Sequence, residues 1–333
     1  MASIEERIPG AQSAWTWRGS AMPGALERGE IAVPKPLRGE VLVRNEIIGL
    51  NPVDWKVLTG LPSCSEGHVP GVDGAGIVAA VGDESLRPWI GRRVAYHQSL
   101  HKQGSFAKYT PLAARALMQV PDGLGLPLAA SLPCPALTAW LSLDKLPIRP
   151  GARLLISGAG GAVGNYLVQL ALQCGYSVTA MCNARHWDRL RGYGVQSLIA
   201  GPIDPGAELP GELMGRYFSV IDTVSGGHAA TLVPALEANG HIVCVQDRLP
   251  AWPSDPFGRC LSIHEVALGA LHVFGSDAAW TRLVNAGETI MRQIVERKLQ
   301  PEPLLRRDFS ALPELLAGLQ KRTFSGKPLI KVN

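Results

Sequence analysis

The stretch RLLISGAGGAVGNYLVQLALQCG, residues 153–175, constrains the fold more than any other part of the chain. A short β-rich run meets a turn with glycines at 158, 161 and 164. The run that follows places Val163, Leu167, Leu170, Ala171 and Cys174 on one helical face, with Gly175 where a C-cap belongs. Gly158 permits a turn that a β-carbon would obstruct, Gly161 lets backbone approach a ligand, and Gly164 lets the helix pack close to its strand. Ala162 and Val163 open the helix, whose free N–H groups and positive dipole end suit a pyrophosphate. The spacing is one residue longer than the usual G-x-G-x-x-G, so its weight comes from its place between strand and helix. The alternative is a tight strand–helix turn without a ligand.

The same alternation continues downstream. SVTAMC reads as a strand, ARHWDRLRGYG as a short polar helix and QSLIA as a strand; RYFSVIDTV, HAATLVPALEANG and HIVCVQ repeat the theme. Such βαβ repeats imply an α/β fold with a doubly wound parallel sheet of the Rossmann type. The first third differs: GEVLVRNEIIGLNPVDW, GVDGAGIVAAVGD, GRRVAYH and GSFAKYT are short β-like pieces parted by glycines and prolines. At 333 residues the chain suits two domains, one mostly β and one Rossmann. The tail FSALPELLAGLQKRTFSGKPLIKVN reads as an amphipathic helix, a turn and a strand that returns to the first domain.

An acid is missing where a dinucleotide fold often has one. NAD sites place Asp or Glu about twenty residues past the glycines to bond the ribose 2′-hydroxyl, whereas NADP sites place an Arg near a 2′-phosphate. After SVTAMC this chain offers Asn183 and Arg185, and no carboxylate until Asp188. A neutral donor beside a cation suits a dianionic phosphate, so the expected cofactor is NADPH. The alternative for Arg185 is an exposed arginine at a helix start.

The formal charge of +4 is mild and the basic residues are scattered, which gives no expectation of nucleic-acid binding. The start MASIEERIPG lacks the apolar core of a secretion signal, and the cysteines at 64, 134, 174, 182, 244 and 260 form no CxxC pair. Free thiols, a reducing compartment and a soluble cytoplasmic protein without a membrane span are expected.

Several motifs, in order, carry a family resemblance: GLNPVDWKVLTG, VPGVDGAGIVAAVG, GRRVAY, GSFAKY, LPCPALTAW, GAGGAVGNYLVQLA, DTVSGG and FSGKPLIKV. The chain resembles the zinc-independent members of the medium-chain dehydrogenase/reductase superfamily, in the quinone oxidoreductase and enone reductase branch. The resemblance implies a GroES-like, mostly β catalytic domain from residues 1–123 and 277–333, and a Rossmann domain from 124–276. It also implies a nicotinamide held in the cleft between them, and a homodimer. Zinc-dependent relatives carry Cys, His and Cys where this chain has Asn51, Val72 and Cys134. One thiolate does not make a tetrahedral site with three protein ligands, so no metal is expected. Without a Lewis acid, an acceptor that spreads its own charge is favoured, such as a quinone or an α,β-unsaturated carbonyl.

The resemblance also nominates residues. Asn51, Asp54 and Lys56 in NPVDWK fall in the stretch that it puts at the cleft; Lys56 is read either as an enolate stabiliser or proton donor, or as a surface lysine. Asp54 either orients Lys56 or caps the next turn. Tyr96 and His97, together with Trp252 and Phe274 in a Pro- and Trp-containing section spanning 248–280, are candidate pocket residues; the alternatives are core packing or a dimer contact. That section is expected to form a lid or pocket wall plus a buried strand. Val224, Ser225, Val245 and Gln246 are candidates to flank the ribose and nicotinamide, because ligands bind beyond the carboxyl ends of parallel strands. Thr138 is read as a contact at the nicotinamide end or as a buried threonine, and Lys327 as reaching the cofactor edge or solvent. The function expected is NADPH-dependent, metal-free reduction of small-molecule quinones, enones or other carbonyls. The alternatives are NADP-linked alcohol–carbonyl interconversion, and an NADPH-binding sensor or nucleic-acid-binding protein with little turnover.

Overall fold

Alternation of apolar and polar residues along the amino-terminal third produces strands with one buried face each, and the computed structural model describes residues 8–59, 65–204 and 207–332. Cys64 lies outside the described residues. The chain divides into two units, residues 1–134 with 269–333, and residues 135–268.

The first unit opens with β1 (Ala11–Thr16) and β2 (Glu27–Ala32), which pair antiparallel. Then come β3 (Glu40–Gly49), helix α1 (Pro52–Lys56), β4 (Asp73–Val81), β5 (Arg93–His97), β6 (Tyr109–Ala113), β7 (Leu117–Gln119) and α2 (Leu126–Ser131). Helix α3 (Pro133–Asp144) leads into the second unit: β8 (Arg153–Ser157), α4 (Ala162–Gln173), β9 (Ser177–Cys182), α5 (Trp187–Gly192), β10 (Ser197–Ala200), β11 (Tyr217–Asp222), α6 (Gly226–Leu232), β12 (Leu236–Cys244) and β13 (Ser262–Glu265). The chain then returns to the first unit with α7 (Ala270–Phe274), α8 (Asp277–Val295), β14 (Leu304–Asp308), α9 (Leu312–Lys321) and β15 (Lys327–Lys331).

In the first unit the sheet runs β14-β15-β3-β4-β5-β7. One edge of the long β3 serves two partners: residues 40–44 pair with β6, and residues 47–49 pair with β15. The carboxyl-terminal strand is thereby fixed beside the end of β3, just ahead of Asn51. Ile48, Leu50, Phe106, Leu312, Leu316 and Ile330 are almost wholly buried in one cluster that joins this sheet to α9. Each such side chain contributes roughly 1.5–3 kcal/mol on leaving water.

In the second unit the strands are all parallel, in the order β10-β9-β8-β11-β12-β13, the doubly wound order of a Rossmann sheet. The central strands are buried on both faces, as RLLIS and YFSVID require with their near-continuous apolar runs. Two local expectations change. HAATLVPALEANG is not one helix: α6 ends at Leu232, Pro234 follows, and Leu236 already begins β12. The strand in the section after residue 249 is β13, which forms the sheet edge and is half-exposed rather than buried.

Candidate functional site

The glycine turn lies at the carboxyl end of β8 and opens α4. Gly158 has φ +68°, and a β-carbon there would come within 2.1 Å of Thr223 Oγ1. That hydroxyl donates to the Ser157 carbonyl at 2.9 Å, so the side chain following β11 locks the turn. Gly161 is the N-cap of α4 and supplies no capping side chain, leaving its first-turn N–H groups open. A β-carbon at Gly164 would meet Ala159 backbone at 2.6 Å, which ties the helix to the strand exit. Gly160, which spacing alone did not single out, is as tightly held: a β-carbon there would lie 2.2 Å from the His186 ring.

Cations gather beside this turn, after β9. Asn183 Oδ1 accepts from the Arg185 N–H at 3.0 Å and fixes the tight turn 184–186. Arg185 is exposed, and its Nε donates to His186 Nε2 at 3.1 Å. Arg189 Nη2 donates to the Gly160 carbonyl at 2.7 Å, bringing a second guanidinium to the glycine turn itself. Arg185 and Arg189 stand four residues apart, the spacing that puts two side chains on one helical face.

At the end of β11, buried Asp222 organises the neighbouring loop. Its Oδ2 accepts from the N–H groups of Val224 (3.0 Å) and Ser225 (2.9 Å), and its Oδ1 from His228 Nδ1 (2.6 Å) and the Ser157 hydroxyl. Ser225 Oγ caps α6 by accepting from His228 N–H at 3.1 Å. Val245 N–H donates to the Asp222 carbonyl at 2.9 Å. Val245 and Gln246 are half-buried at the end of β12, and Thr138 is buried on α3.

The first unit has a polar cluster of its own. Asp54 is wholly buried; its Oδ2 accepts from the Asn51 N–H at 2.7 Å and its Oδ1 from the Val72 N–H at 3.1 Å. It therefore clamps the start of α1 to the approach of β4. Asn51 Nδ2 donates to Asp73 Oδ2 at 2.8 Å, and Asn51 Oδ1 accepts from Lys327 Nζ. Lys327 Nζ stands 3.8 Å from Asp73 Oδ2, and the Cys134 N–H donates to the same carboxylate at 2.9 Å. Burial is the main cause that raises Asp54 to about 7 and Asp73 to about 6; the Lys327 charge and the backbone donors oppose it.

His97 is the cross-strand neighbour of Asp73 and is buried. Its Nδ1 lies 3.1 Å from Nε2 of His272 on α7, and the rings stack. Burial holds His97 well below the usual imidazole range and lowers His272 to about 4, so near neutrality the pair is uncharged, one ring donating to the other.

Residues 37–122 match the alcohol dehydrogenase GroES-like domain family. A chloroplastic quinone-oxidoreductase homologue of Spinacia oleracea is 33% identical over 66% of this chain and 70% of its own. The chain belongs to the medium-chain dehydrogenase/reductase superfamily, in its quinone oxidoreductase and enone reductase branch. A trans-enoyl reductase of Thermothelomyces thermophilus is 32% identical over 58% of each chain. An alcohol dehydrogenase superfamily protein from Novosphingobium aromaticivorans superimposes with a TM-score of 0.79 at 25% identity, over 97% of this chain and 100% of that one. The chain is thus an oxidoreductase of the medium-chain reductase family, with a Rossmann sheet and a GroES-like β unit.

Within this medium-chain reductase, the nominated residues separate. Asn51, Asp54, His97 and Lys327 are buried in the first unit, and Asn51, Asp73 and Lys327 meet directly. Lys56 is exposed, with Nζ 5.7 Å from the Trp55 ring centre. Tyr96 is wholly buried in the sheet core of its own unit, where its hydroxyl donates to Asn45 Oδ1 at 2.6 Å. Trp252 and Phe274 are exposed, at 69% and 85%, so neither walls an apolar pocket within its own unit. Asp73 and Arg189 went unmarked in the sequence; the first sits in a glycine-rich β run, and the second is one of several arginines on a polar helix.

Where zinc-dependent relatives have metal ligands, Asn51 engages Asp73 and Lys327, Val72 is apolar and buried, and Cys134 contributes a backbone N–H. Among the described residues no three His, Cys, Asp or Glu side chains are grouped to hold a metal. This donor set does not fit zinc.

Proposed function

We propose that this medium-chain reductase is a metal-free, NADPH-dependent oxidoreductase that passes hydride to quinones or α,β-unsaturated carbonyls. The observation that carries the reading is the Lys327 ammonium lodged against Asp73 and against Asn51, the latter one of the three positions that carry metal ligands in zinc-dependent relatives. A fixed internal cation makes that corner of the β unit electrostatically complete without an ion. An acceptor that delocalises its developing charge then needs the least help. The quinone-oxidoreductase and trans-enoyl reductase names of the relatives agree with this substrate class.

The residues of the second unit fit a phosphorylated dinucleotide. Gly158, Gly161 and the first-turn N–H groups of Ala162, Val163 and Gly164 would take the pyrophosphate; Asn183, Arg185 and Arg189 would take the 2′-phosphate. Thr138, Val224, Ser225, Val245 and Gln246 are proposed for the ribose and nicotinamide end, and Lys327 for the cofactor edge or for holding Asn51. NADPH, when bound, supplies the hydride. Lys56, exposed and in exchange with solvent, is proposed to deliver the proton that completes reduction, with water as the other source. Asn51 and Asp54 hold α1, and hence Lys56, in place.

We further propose a cytoplasmic homodimer acting on small molecules, with no nucleic-acid or membrane partner; no helix among the described residues is long and apolar enough to cross a membrane. The deciding experiment measures NADPH and NADH oxidation against quinones, enones and aldehydes, each with and without chelator. Turnover of a conjugated acceptor with NADPH, unaffected by chelator, is expected. Preference for NADH, or activity lost to chelator and restored by zinc, would overturn the proposal.

A further inference from the structure

We propose that the amino-terminal ends of β8, β11 and β12 form a binding site for a small, multiply charged anion of the phosphate-ester or polycarboxylate class. A concavity of about 380 Å³ there is lined by Arg149, Arg153, Arg216, Phe218 and Glu237. Three arginines and one glutamate thus line the same concavity. None of the three is within ion-pair distance of a carboxylate among the described residues. Three like charges gathered with a single unpaired counter-charge repel, and an anion that accepts from several guanidinium forks relieves that repulsion.

The backbone fixes where each of the three arginines leaves the chain. Arg149 begins a turn through Pro150 and Gly151 (φ +81°), closed by the Ala152 N–H donating to the Arg149 carbonyl at 3.0 Å. Its guanidinium lies 4.4 Å from the centre of the Phe218 ring, which is only 3% exposed and so acts as a fixed platform. Arg153 is the first residue of β8. Arg216 follows Gly215 (φ +65°), and its N–H donates to the Ala235 carbonyl at 2.9 Å. His241, edge-on to Phe218 at 5.0 Å and stacked on His264 at 5.6 Å, adds no negative charge.

This site is separate from the glycine turn. Gly158 follows the carboxyl end of β8 and Arg153 opens the same strand, so the two lie about 16 Å apart at roughly 3.3 Å per residue. The inference stands whether or not the cofactor is NADPH, because it uses none of the residues assigned to that cofactor.

Calorimetric titration of the whole protein with inorganic pyrophosphate and with citrate, at low salt, tests it. Saturable one-to-one binding of at least one of them is expected. In R153Q/R216Q it should weaken at least about tenfold, with an unchanged melting temperature in the absence of anion; in R185Q/R189Q it should persist. E237Q, which removes the carboxylate that lines the concavity, should tighten binding severalfold and serves as a second test. Absence of saturable binding by either anion would overturn the proposal, as would binding that R153Q/R216Q leaves unaffected, which would place the anion at the glycine turn or beside Arg185 and Arg189.

Discussion

Lys327 and Asn51 lie 276 positions apart, yet the ammonium of one donates to the side-chain amide oxygen of the other inside the β unit. The pairing of β15 with the end of β3 makes this contact possible, since that register brings the start of the last strand to the residue that caps α1. Asp73 completes the group through Asn51 and the Cys134 N–H. Each polar atom named here has a partner, so the cluster is tolerated in a buried place.

Removing the cation should therefore cost more than the contact itself. Lys327→Met leaves Asn51 Oδ1 without its donor and Asp73 without its counter-charge, both buried. Stability should fall by about 3–5 kcal/mol, as for other buried pairs deprived of one partner. Urea denaturation measures it. In the double variant with Asp73→Asn the loss should be smaller than the sum of the two single losses, because the uncompensated charge is gone.

The raised carboxyls set a pH dependence with a definite sign. Asp54 titrates near 7 and Asp73 near 6 when folded, against 3.8 for the free side chain. Between those values the folded protein binds more protons than the unfolded chain, so their contribution is full below about pH 3.8 and is lost as pH rises through 6 and 7. Asp54→Asn removes one of the two groups. Although less stable throughout, because its Nδ2 does not accept from Asn51 or Val72, it should lose less stability than wild type between pH 4.5 and 7.5. Denaturation curves at both ends of that range give the two slopes.

The glycine turn makes a stricter prediction. At Gly158 both the positive φ and the Thr223 hydroxyl oppose a side chain. Gly158→Ala should cost at least about 1–3 kcal/mol from strain alone and should weaken dinucleotide binding in step. Melting temperature and cofactor titration check the two effects. Gly161→Ala is the control for stability: the nearest atom to its β-carbon is the Gly158 carbonyl oxygen at 3.5 Å, so the fold should tolerate it.

The contrast between these glycines and the polar cluster explains what could be read from residues in order. RLLIS and SVTAMC coincide with β8 and β9 because burial on both faces leaves an unbroken apolar run between turn residues. The glycine turn is local too, as strand, turn and helix are consecutive. HAATLVPALEANG misled because its apolar spacing suits a helix, while Pro234 and pairing with β11 convert its second half into strand. Tyr96 and His97 are adjacent in GRRVAYH, and which of the two turns into the core depends on which face the sheet buries, a property set by pairing with the strand that carries Asp73. Lys327 was read as reaching either cofactor or solvent. Neither reading anticipated a buried partner, since no local pattern links residues at opposite ends of a chain.

Cofactor choice rests on charge beside the turn. Arg185 is exposed and Arg189 is anchored on the Gly160 carbonyl. Replacing both with Gln should raise KM for NADPH by about 10–100-fold, the equivalent of losing one or two charge-assisted hydrogen bonds, and leave KM for NADH within about threefold. Arg189→Gln alone should also loosen the turn and affect both cofactors slightly. Parallel steady-state kinetics with the two cofactors separate these outcomes.

Lys56 offers the sharpest test of the chemical step, because its exposure separates catalysis from stability. Lys56→Ala removes an exposed side chain and should change folding stability by no more than about 1 kcal/mol, the scale of an exposed polar or ionic contact. Its effect on turnover should depend on the acceptor. After hydride transfer a quinone becomes a phenolate-like anion, of basicity near that of Tyr at about 10, which picks up its proton from water without help. An enone leaves a more basic enolate, for which a positioned ammonium matters. With Lys56 as donor, kcat for enones should fall by about 10²-fold in the variant, a usual contribution for a general acid, while kcat for quinones stays nearly unchanged. Equal rates for wild type and variant on both classes would assign the proton to solvent.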